Sequence, residues 1–509
     1  MSQLQAIDYA ALAPLLITCT AALIVLIADL FLPLARRTVG LWLATGGALA
    51  ALAAVLGVGP ATRQTFCTPP ATLPHGISVG ASCSYVVDHF TVLLSVLCCA
   101  AAVICLLLSV AAVAQDRLPA GEYGFLVLCS LAGMLIMAGA RDLITIVVAL
   151  ETLTLPLYIL TGLRRADPRS AEAAIKFFLV SVLSSAVTLY GVSLIYGLTG
   201  SVHLDRVAGA LDRRGDLRHI PLTAAAVLLV IVGFAFKVSA VPFHWWAPDT
   251  YQGAPVPIAA FLSTASKAAG FAGLLLVVLD GFRPYADIWG PVLAVLAVLS
   301  MTLGNLVALR QRQLVRLMAW SSVAQGGYIL APLGVAAAAG GRSDADLRTA
   351  GAAALAYLAL YIAMNLGAFS CISWVSRHSP RNSFEDYQGL ARRSPLVAVA
   401  LAFFLLCLAG LPPGLAGLFA KVVVFRATLV GGAGVLALVM AVNTVIGLYY
   451  YLRVAAALFG PSTTTEAGRP SPPRSLAVSA AIATSVLGTV ALGFAPQLVI
   501  RAGDLAGLR

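Results

Sequence analysis

Charged residues are scarce in this sequence of 509 residues. They make up 10% of the chain, whereas hydrophobic residues make up 60%. An ordinary soluble domain carries about 25% charged and about 45–50% apolar residues. So little charge excludes a soluble globular protein of this length. We therefore interpret the chain as an integral membrane protein.

Residues that bind metals or redox cofactors are also few. The chain has nine cysteines and six histidines, with no C-x-x-C spacing and no histidine pair at the i, i+4 spacing of a helical metal site. Seven cysteines lie in apolar segments, where cysteine behaves as a small hydrophobic residue: Cys19, Cys98, Cys99, Cys105, Cys129, Cys371 and Cys407. The pattern argues against iron–sulfur, zinc and haem sites, and we expect no cofactor in this chain.

Long apolar windows predict the architecture. A helix needs about 20 residues to cross the hydrocarbon core, and windows of that length give about fourteen transmembrane helices in one membrane domain, residues 1–509. The windows begin near residues 11, 41, 89, 122, 142, 171, 221, 255, 288, 313, 350, 395, 432 and 475. The first lacks the basic flank and cleavage site of a signal peptide, so we expect it to be a true span.

Arginine clusters predict the orientation. They follow odd-numbered spans, so the positive-inside rule puts those loops in the cytoplasm and both termini outside. The clusters are Arg36 and Arg37; Arg164, Arg165 and Arg169; Arg310, Arg312 and Arg316; Arg377 and Arg381; Arg392 and Arg393. Arg206, Arg213, Arg214 and Arg218 lie on the predicted outer side and run against the rule. The net charge of +11 thus reflects membrane topology, and we expect no nucleic-acid partner.

Two cysteines stand apart from the others. Cys67 and Cys83 lie in the loop 61–88, which the predicted orientation puts outside, where the compartment permits a disulfide. The two residues are a disulfide candidate, and two free thiols remain the alternative.

Lysine is the rarest basic residue and the most informative one. Four lysines and 28 arginines make up the 32 basic residues, and every lysine lies in a predicted span: Lys176, Lys237, Lys267 and Lys421. Arginine stays protonated, whereas burial can lower the pKa of a lysine into a range where it exchanges protons. Lys176 lies near the end of its span, so reaching the interface is an alternative role for it.

Helix breakers accompany two of these lysines. Pro242 follows Lys237, and Pro412, Pro413 and Gly414 precede Lys421. Proline interrupts a helix, and irregular backbone in the bilayer is tolerated where it lines a polar cavity, although a packing kink is the alternative. The two broken spans are the seventh and the twelfth.

Two spans that are five apart cross the membrane in opposite directions. If spans 4–8 and 9–13 are related, they are therefore inverted repeats. The expected fold is an all-α membrane protein with two inverted five-helix repeats and broken helices 7 and 12. Its parts are the N-terminal helices 1–115, the first repeat 122–280, the second repeat 288–458 and the C-terminal helix 475–497.

One carboxylate lies deep inside a predicted span. Glu151 is far from the loop charges, and an isolated buried carboxylate would be neutral, so we expect a partner. A neighbouring lysine is the obvious candidate. A hydrogen bond to backbone is the alternative.

Three segments resemble a known family. They are "FKVSAVPFHWWAPDTYQGAPVPIAAFLSTASKAAGF", "RQLVRLMAWSSVAQGGYIL" and "LAGLPPGLAGLFAKVVVF". They are similar to the antiporter-like subunits of bacterial NADH-quinone oxidoreductase (respiratory complex I), most closely the subunit N family, and the resemblance covers nearly the whole chain. It implies fourteen helices, inverted repeats and a mid-membrane row for proton transfer: Glu151, Lys237, Lys267 and Lys421. Lys176 and His244 are further candidates, and Gln325 stands where many relatives have histidine.

The resemblance also implies a function without local redox chemistry. Protons would move through this chain, while flavin, iron–sulfur clusters and quinone would belong to partner subunits of complex I in the bacterial inner membrane. A subunit of a multisubunit Na⁺/H⁺ antiporter and a subunit of an energy-converting hydrogenase remain alternatives. A third alternative is a scaffold that conducts no protons, in which the buried charges could be neutralised without loss.

Overall fold

The computed structural model describes residues 7–33, 38–59, 62–73, 77–164, 167–213, 217, 220–461 and 475–505. Five of the arginines used for the orientation lie outside the described residues: Arg36, Arg37, Arg165, Arg214 and Arg218. The described chain is almost entirely helical, as the composition predicts.

The helices follow one another along the chain with short connections. They are α1 Tyr9–Phe31, α2 Thr38–Val58, α3 His89–Asp116, α4 Ala120–Gly139, α5 Leu143–Thr161, α6 Pro168–Thr199, α7 Leu204–Arg213, α8 Pro221–Lys237, α9 Trp246–Gly253, α10 Val256–Phe261, α11 Lys267–Leu275, α12 Ala286–Ala308, α13 Leu314–Leu330, α14 Asp344–Ser376, α15 Phe384–Tyr387, α16 Leu390–Arg393, α17 Pro395–Ala409, α18 Leu415–Val430, α19 Gly434–Phe459, α20 Leu476–Phe494 and α21 Gln497–Leu505. Four short strands lie between α2 and α3: β1 Arg63–Thr68, β2 Ala71–Leu73, β3 Ile77–Val79 and β4 Ser82–Val87.

Membrane-spanning character is clear from helix length and apolarity. Within the described ranges, eleven helices are long and apolar enough to cross a membrane. Two more apolar helices, α8 and α17, are shorter than a span because each stops at an irregular segment. The fold is therefore a polytopic helical membrane protein.

Two elements form the centre of this bundle. The span Val256–Gly281 is buried along its whole apolar window, and α14 is almost as fully enclosed. Both are surrounded by other helices and not by lipid, so their polar side chains face protein. In contrast, α1, α6 and α19 expose large apolar side chains to the surroundings, for example Phe31, Leu183 and Val435.

The central span is irregular as well as buried. Two π-helical turns, Leu262–Ser266 and Leu276–Gly281, flank α11. A π-turn displaces backbone and side chains relative to a regular helix, and such turns are frequent at functional sites. Lys267 is the first residue after the first of them.

The predicted helix breakers lie in the two irregular segments. α8 ends at Lys237 and α9 begins at Trp246, with Pro242 between them. α17 ends at Ala409 and α18 begins at Leu415, and Pro412, Pro413 and Gly414 lie between these two helices. The chain turns left-handed just after α17, at Gly410 with φ +82°.

A small β-hairpin lies between α2 and α3. Strands β1 and β4 pair antiparallel with Cys67 opposite Cys83, and a disulfide joins the two. Arg206 from α7 holds the hairpin: it donates to Ser82 Oγ at 2.8 Å and to the carbonyl of Pro69 at 2.9 Å. Arg206 was one of the arginines on the predicted outer side of the membrane. Its burial against this hairpin gives it a structural role there.

Candidate functional site

Lys237 is buried at the C-terminal end of α8. Its Nζ donates a hydrogen bond to Thr154 Oγ1 on α5 at 2.8 Å. The C-terminal end of a helix carries partial negative charge, which stabilises a cation there. Gly270 on α11 makes room for the side chain, because a Cβ at that glycine would lie 2.9 Å from Lys237 Cγ.

Glu151 lies one helical turn before Thr154 on the same face of α5. Its carboxylate accepts a hydrogen bond from the Ser185 hydroxyl on α6. Throughout the described residues it forms no ion pair. Lys237 hydrogen-bonds to α5 one turn further on, at Thr154, so Glu151 acts on this neighbouring lysine through its charge and without a direct ion pair.

Lys267 has two partners on one residue. Its Nζ lies 2.7 Å from both the carbonyl oxygen and the Oγ of Ser322 on α13. Gly326 lies one turn further along α13, and a Cβ there would be 3.7 Å from the lysine Nζ. The ammonium therefore lies against α13 over two successive turns.

Lys421 is bound to the end of the preceding half-helix. Its Nζ donates to the carbonyl oxygen of Ala409, the last residue of α17, at 2.5 Å. The last carbonyls of a helix have no intrahelical partner and carry its negative end. The ring of Tyr328 adds a cation–π contact, with its centroid 5.5 Å from Nζ.

The three buried lysines share one kind of environment. Their exposed fractions are 2% for Lys237, 1% for Lys267 and 8% for Lys421. Among the residues described, each ammonium forms hydrogen bonds only to uncharged oxygens and none forms an ion pair. A buried ion pair that loses its proton leaves a carboxylate unpaired, which is costly. Because no carboxylate is hydrogen-bonded to these lysines, loss of a proton would break no buried ion pair.

A polar network not anticipated from the sequence fills the space between Lys267 and Lys421. Tyr361 on α14 donates to Ser322 Oγ at 2.9 Å, and Tyr357, one turn earlier, donates to the side-chain oxygen of Gln325. Gln325 in turn donates to the Tyr451 hydroxyl at 3.1 Å and to the carbonyl of Leu408 at 3.3 Å. These groups are all buried.

One signal in the sequence could have found this network. Tyr357, Tyr361 and Asn365 are spaced four residues apart in an otherwise apolar segment. That spacing puts their side chains on one face of a helix. Three polar residues aligned on the face of a buried helix indicate a hydrogen-bonded interface.

Lys176 and His244 have different surroundings. Lys176 is 45% exposed and pairs with Glu172 at 2.6 Å and with Asp249 at 2.9 Å. His244 is buried in the irregular segment after α8 and packs against the rings of Trp245 and Trp320. Its Nδ1 has no hydrogen-bond partner in the described part of the chain. His244 thus shares the burial of the three buried lysines, whereas Lys176 is exposed and ion-paired.

The hairpin side of the bundle holds a large polar cavity of about 940 Å³. Asp88 and Arg141, an ion pair at 2.7 Å, lie in its wall. Burial disfavours the charged carboxylate of Asp88, but the Arg141 guanidinium outweighs that effect, so the pKa of Asp88 lies below its usual value. The pair ties the start of α3 to the segment before α5.

Residues 140–447 match the family model described as NADH:quinone oxidoreductase/Mrp antiporter, TM. The match includes Glu151, Lys237, Lys267 and Lys421 and covers more than half of the chain. The chain belongs to this family. Individual members of the family are similar to this chain over nearly its whole sequence.

Two relatives are named as subunit N. NADH-quinone oxidoreductase subunit N 2 of Streptomyces griseus is 48% identical, over 98% of this chain and 94% of the relative. Subunit N of Salinispora tropica is 47% identical, over 99% of this chain and 100% of the relative. A chain of the solved respiratory complex I from Thermus thermophilus with bound aureothin is 31% identical, with a TM-score of 0.75 over 97% of this chain and 100% of that one. The predicted resemblance to this family is confirmed.

Proposed function

We propose that this chain is a proton-translocating membrane-arm subunit of an NADH:quinone oxidoreductase. Glu151, Lys237, Lys267 and Lys421 transfer the protons, and partner subunits hold the flavin, iron–sulfur clusters and quinone. The observation that carries the proposal is the environment of the lysines. Each is buried and bound to uncharged oxygens next to a helix end or a π-turn, so it can gain and lose a proton without leaving a carboxylate unpaired.

The proposed topology has fourteen spans in one membrane domain. The eleven long helices are completed by three further segments: α8 with α9, α13 with the turns Ala331–Ala337, and α17 with α18. Residues 122–280 and 288–458 form inverted repeats between the N-terminal helices 1–115 and the C-terminal helix 475–497. Both termini face outside the bacterial inner membrane. The two broken spans, seventh and twelfth, support this arrangement because they run in opposite directions.

The proposed route begins at Glu151. A change in charge at this carboxylate acts on Lys237 through their common neighbour, the face of α5 that carries Thr154. The proton released by Lys237 moves to Lys267 and then to Lys421, from which it leaves the protein. No electron transfer within this chain is part of the route.

A Na⁺/H⁺ antiporter subunit is the second candidate, because the family model itself covers Mrp antiporters. The two candidates differ in their partners. If the purified complex carries flavin and iron–sulfur clusters, the oxidoreductase assignment holds. A complex that lacks both and exchanges Na⁺ for protons would contradict it.

The decisive test compares two substitutions of Lys421. Lys421→Arg keeps a positive charge that does not release its proton, whereas Lys421→Ala removes the charge. We expect both variants to lose proton uptake by inverted membrane vesicles during NADH oxidation. Lys176→Arg is the matched control, because Lys176 is exposed and a guanidinium can keep its ion pairs, and this variant should pump normally.

Two outcomes would contradict the proposal. Normal pumping by Lys421→Arg together with failure of Lys421→Ala would mean that the residue supplies only a fixed charge. Normal pumping by both variants would remove Lys421 from the route. In each case the intact complex is first quantified, so that failed assembly is not mistaken for lost pumping.

A further inference from the structure

The helix that follows the first break, α9, has only eight residues. The irregular segment 238–245 separates it from α8, which ends at Lys237. Helices shorter than about 12–15 residues are marginal by themselves, so the side chains of neighbouring helices have to hold α9 in place. Those neighbours are α6 and α13, and α9 packs against both.

Two polar residues of α9 bind the same nitrogen atom of α13. Arg316 Nη1 donates to Asp249 Oδ1 and to Gln252 Oε1, each at 2.7 Å. Asp249 and Gln252 are three residues apart, so they lie on one face of α9. The other carboxylate oxygen of Asp249 accepts from Lys176 on α6 at 2.9 Å. Asp249, Gln252 and Arg316, which we call the α9 clamp, thus join the short helix to α13.

The first residue of α9 contacts the end of α8. Trp246 donates its indole N–H to the carbonyl oxygen of Phe236 at 3.1 Å. The same indole stacks on Phe177 of α6, with the ring centroids 4.6 Å apart. Phe236 directly precedes Lys237, the last residue of α8. A shift of α9 is therefore transmitted to the helix end that carries Lys237.

We propose that the α9 clamp is a positioning device for Lys237: Arg316 holds α9, and Trp246 passes this position on to the end of α8. The inference rests on the proposed function, because it takes Lys237 as a proton-transfer group. The clamp residues carry no proton themselves. They keep Lys237 Nζ within 2.8 Å of Thr154 on α5, and a misplacement of ~1 Å lowers a geometry-dependent rate by about 10²-fold.

Two substitutions of Arg316 test the clamp. Arg316→Gln removes the charge that Asp249 binds, whereas Arg316→Lys keeps a cation. Because one nitrogen of Arg316 makes both contacts, a lysine ammonium with its three donors can replace it. We expect proton uptake per NADH oxidised in inverted vesicles to fall about tenfold in Arg316→Gln and to stay within about twofold of wild type in Arg316→Lys. Normal uptake in Arg316→Gln, or an equal loss in both variants, would reject the clamp.

A local measurement separates positioning from general stability. Amide hydrogen exchange of the intact complex, read by mass spectrometry, reports the opening of individual segments. We expect faster exchange in α9 and at the end of α8 in Arg316→Gln, wild-type exchange there in Arg316→Lys, and no change in α4. Lost pumping with unchanged exchange in α9 would mean that Arg316 acts in another way, and the clamp would be rejected.

A second ion pair supplies the matched control. Arg164 donates to Asp116 at 2.8 Å, and their side chains are 24% and 28% exposed, close to the 33% and 31% of Arg316 and Asp249. This pair ties the end of α3 to the segment after α5. Arg164→Gln should pump like the wild type. An equal loss in Arg164→Gln and Arg316→Gln would mean that removing any such arginine is harmful, and the clamp would be rejected.

Gly253, the last residue of α9, offers a variant that moves this helix without changing a charge. A Cβ there would lie 2.5 Å from the Cβ of Ala173 and 2.6 Å from the carbonyl oxygen of Arg169, both on α6. Gly253→Ala therefore pushes α9 away from α6, and we expect pumping to fall as in Arg316→Gln at a normal amount of intact complex. Normal pumping together with faster exchange in α9 would show that Lys237 does not depend on α9, and the inference would be wrong.

Lys237→Ala, measured in parallel, separates the two proposals. Normal pumping by Lys237→Ala would reject the role of Lys237 in the proposed function. Loss in Lys237→Ala with normal pumping by Arg316→Gln would reject the clamp alone.

Discussion

Replacing Gly410 with alanine tests whether the ammonium of Lys421 must rest on the end of α17. At φ +82° the glycine adopts a left-handed conformation, which costs a residue with a Cβ roughly 1–2 kcal/mol. The new Cβ would also lie 2.7 Å from Cδ and 3.2 Å from Nζ of Lys421. Carbon atoms pack at about 3.5–4.0 Å. The lysine side chain therefore has to move, and we expect it to lose its hydrogen bond to Ala409.

Gly432 provides a control with the same backbone cost and no lysine. Its φ is +78°, and the atom nearest to a new Cβ would be the Cβ of Ala338 at 4.0 Å. Gly432→Ala should therefore lose roughly the same 1–2 kcal/mol of stability as Gly410→Ala loses through its backbone alone. Any further difference between the two variants measures the displacement of Lys421.

The assay combines stability with pumping. Thermal unfolding of the detergent-solubilised complex gives the stability of each variant, and dye quenching in inverted vesicles gives proton uptake per NADH oxidised. We expect both variants to be destabilised but only Gly410→Ala to lose pumping, by about tenfold. If Gly410→Ala pumps as well as Gly432→Ala, the contact between Lys421 and Ala409 is not required and the reasoning is wrong.

Two further predictions concern other contacts. Thr154→Val deletes the hydroxyl that binds Lys237 and leaves a buried donor unsatisfied, a loss of about 1–3 kcal/mol, so pumping should fall. Thr161→Val is the control on the same helix: its hydroxyl bonds to the Leu157 carbonyl, and this variant should pump normally. Cys67→Ser opens a loop with a sequence separation of 16, and the hairpin should lose roughly 3 kcal/mol of stabilisation and become sensitive to limited proteolysis. Finding both Cys67 and Cys83 of the unmodified protein alkylated under oxidising conditions would refute the second prediction.

The sequence by itself determined the class of protein and its candidate lysines. Composition required lipid as the solvent, since 60% of the residues are hydrophobic. The restriction of lysine to apolar segments then identified Lys237, Lys267 and Lys421 as unusual cations, because each is costly in a bilayer unless it has a partner. Proline and glycine positions indicated where two spans are interrupted. All of these properties depend on residue type and local order along the chain.

The tertiary structure alone decided which atoms meet the lysines. Thr154 is 83 residues from Lys237, and Ser322 is 55 residues from Lys267, so no local pattern links them. The same holds for Glu151, whose hydrogen-bond donor Ser185 is 34 residues away and was not predicted, although Lys237 is its electrostatic neighbour as expected. A side chain finds its partner through the packing of whole helices, and a shift of one turn along α5 is enough to replace a carboxylate with a hydroxyl.

The network around Gln325 also shows which contacts a sequence pattern can predict and which it cannot. The alignment of Tyr357 and Tyr361 on one helix face could be read from the sequence, since it follows from helical periodicity. Their pairing with Gln325 and Ser322 could not, because it depends on how α14 lies against α13. Helix rotation and register come from the summed packing of the bundle. They decide whether Gln325 is an isolated polar residue or the junction between two lysines.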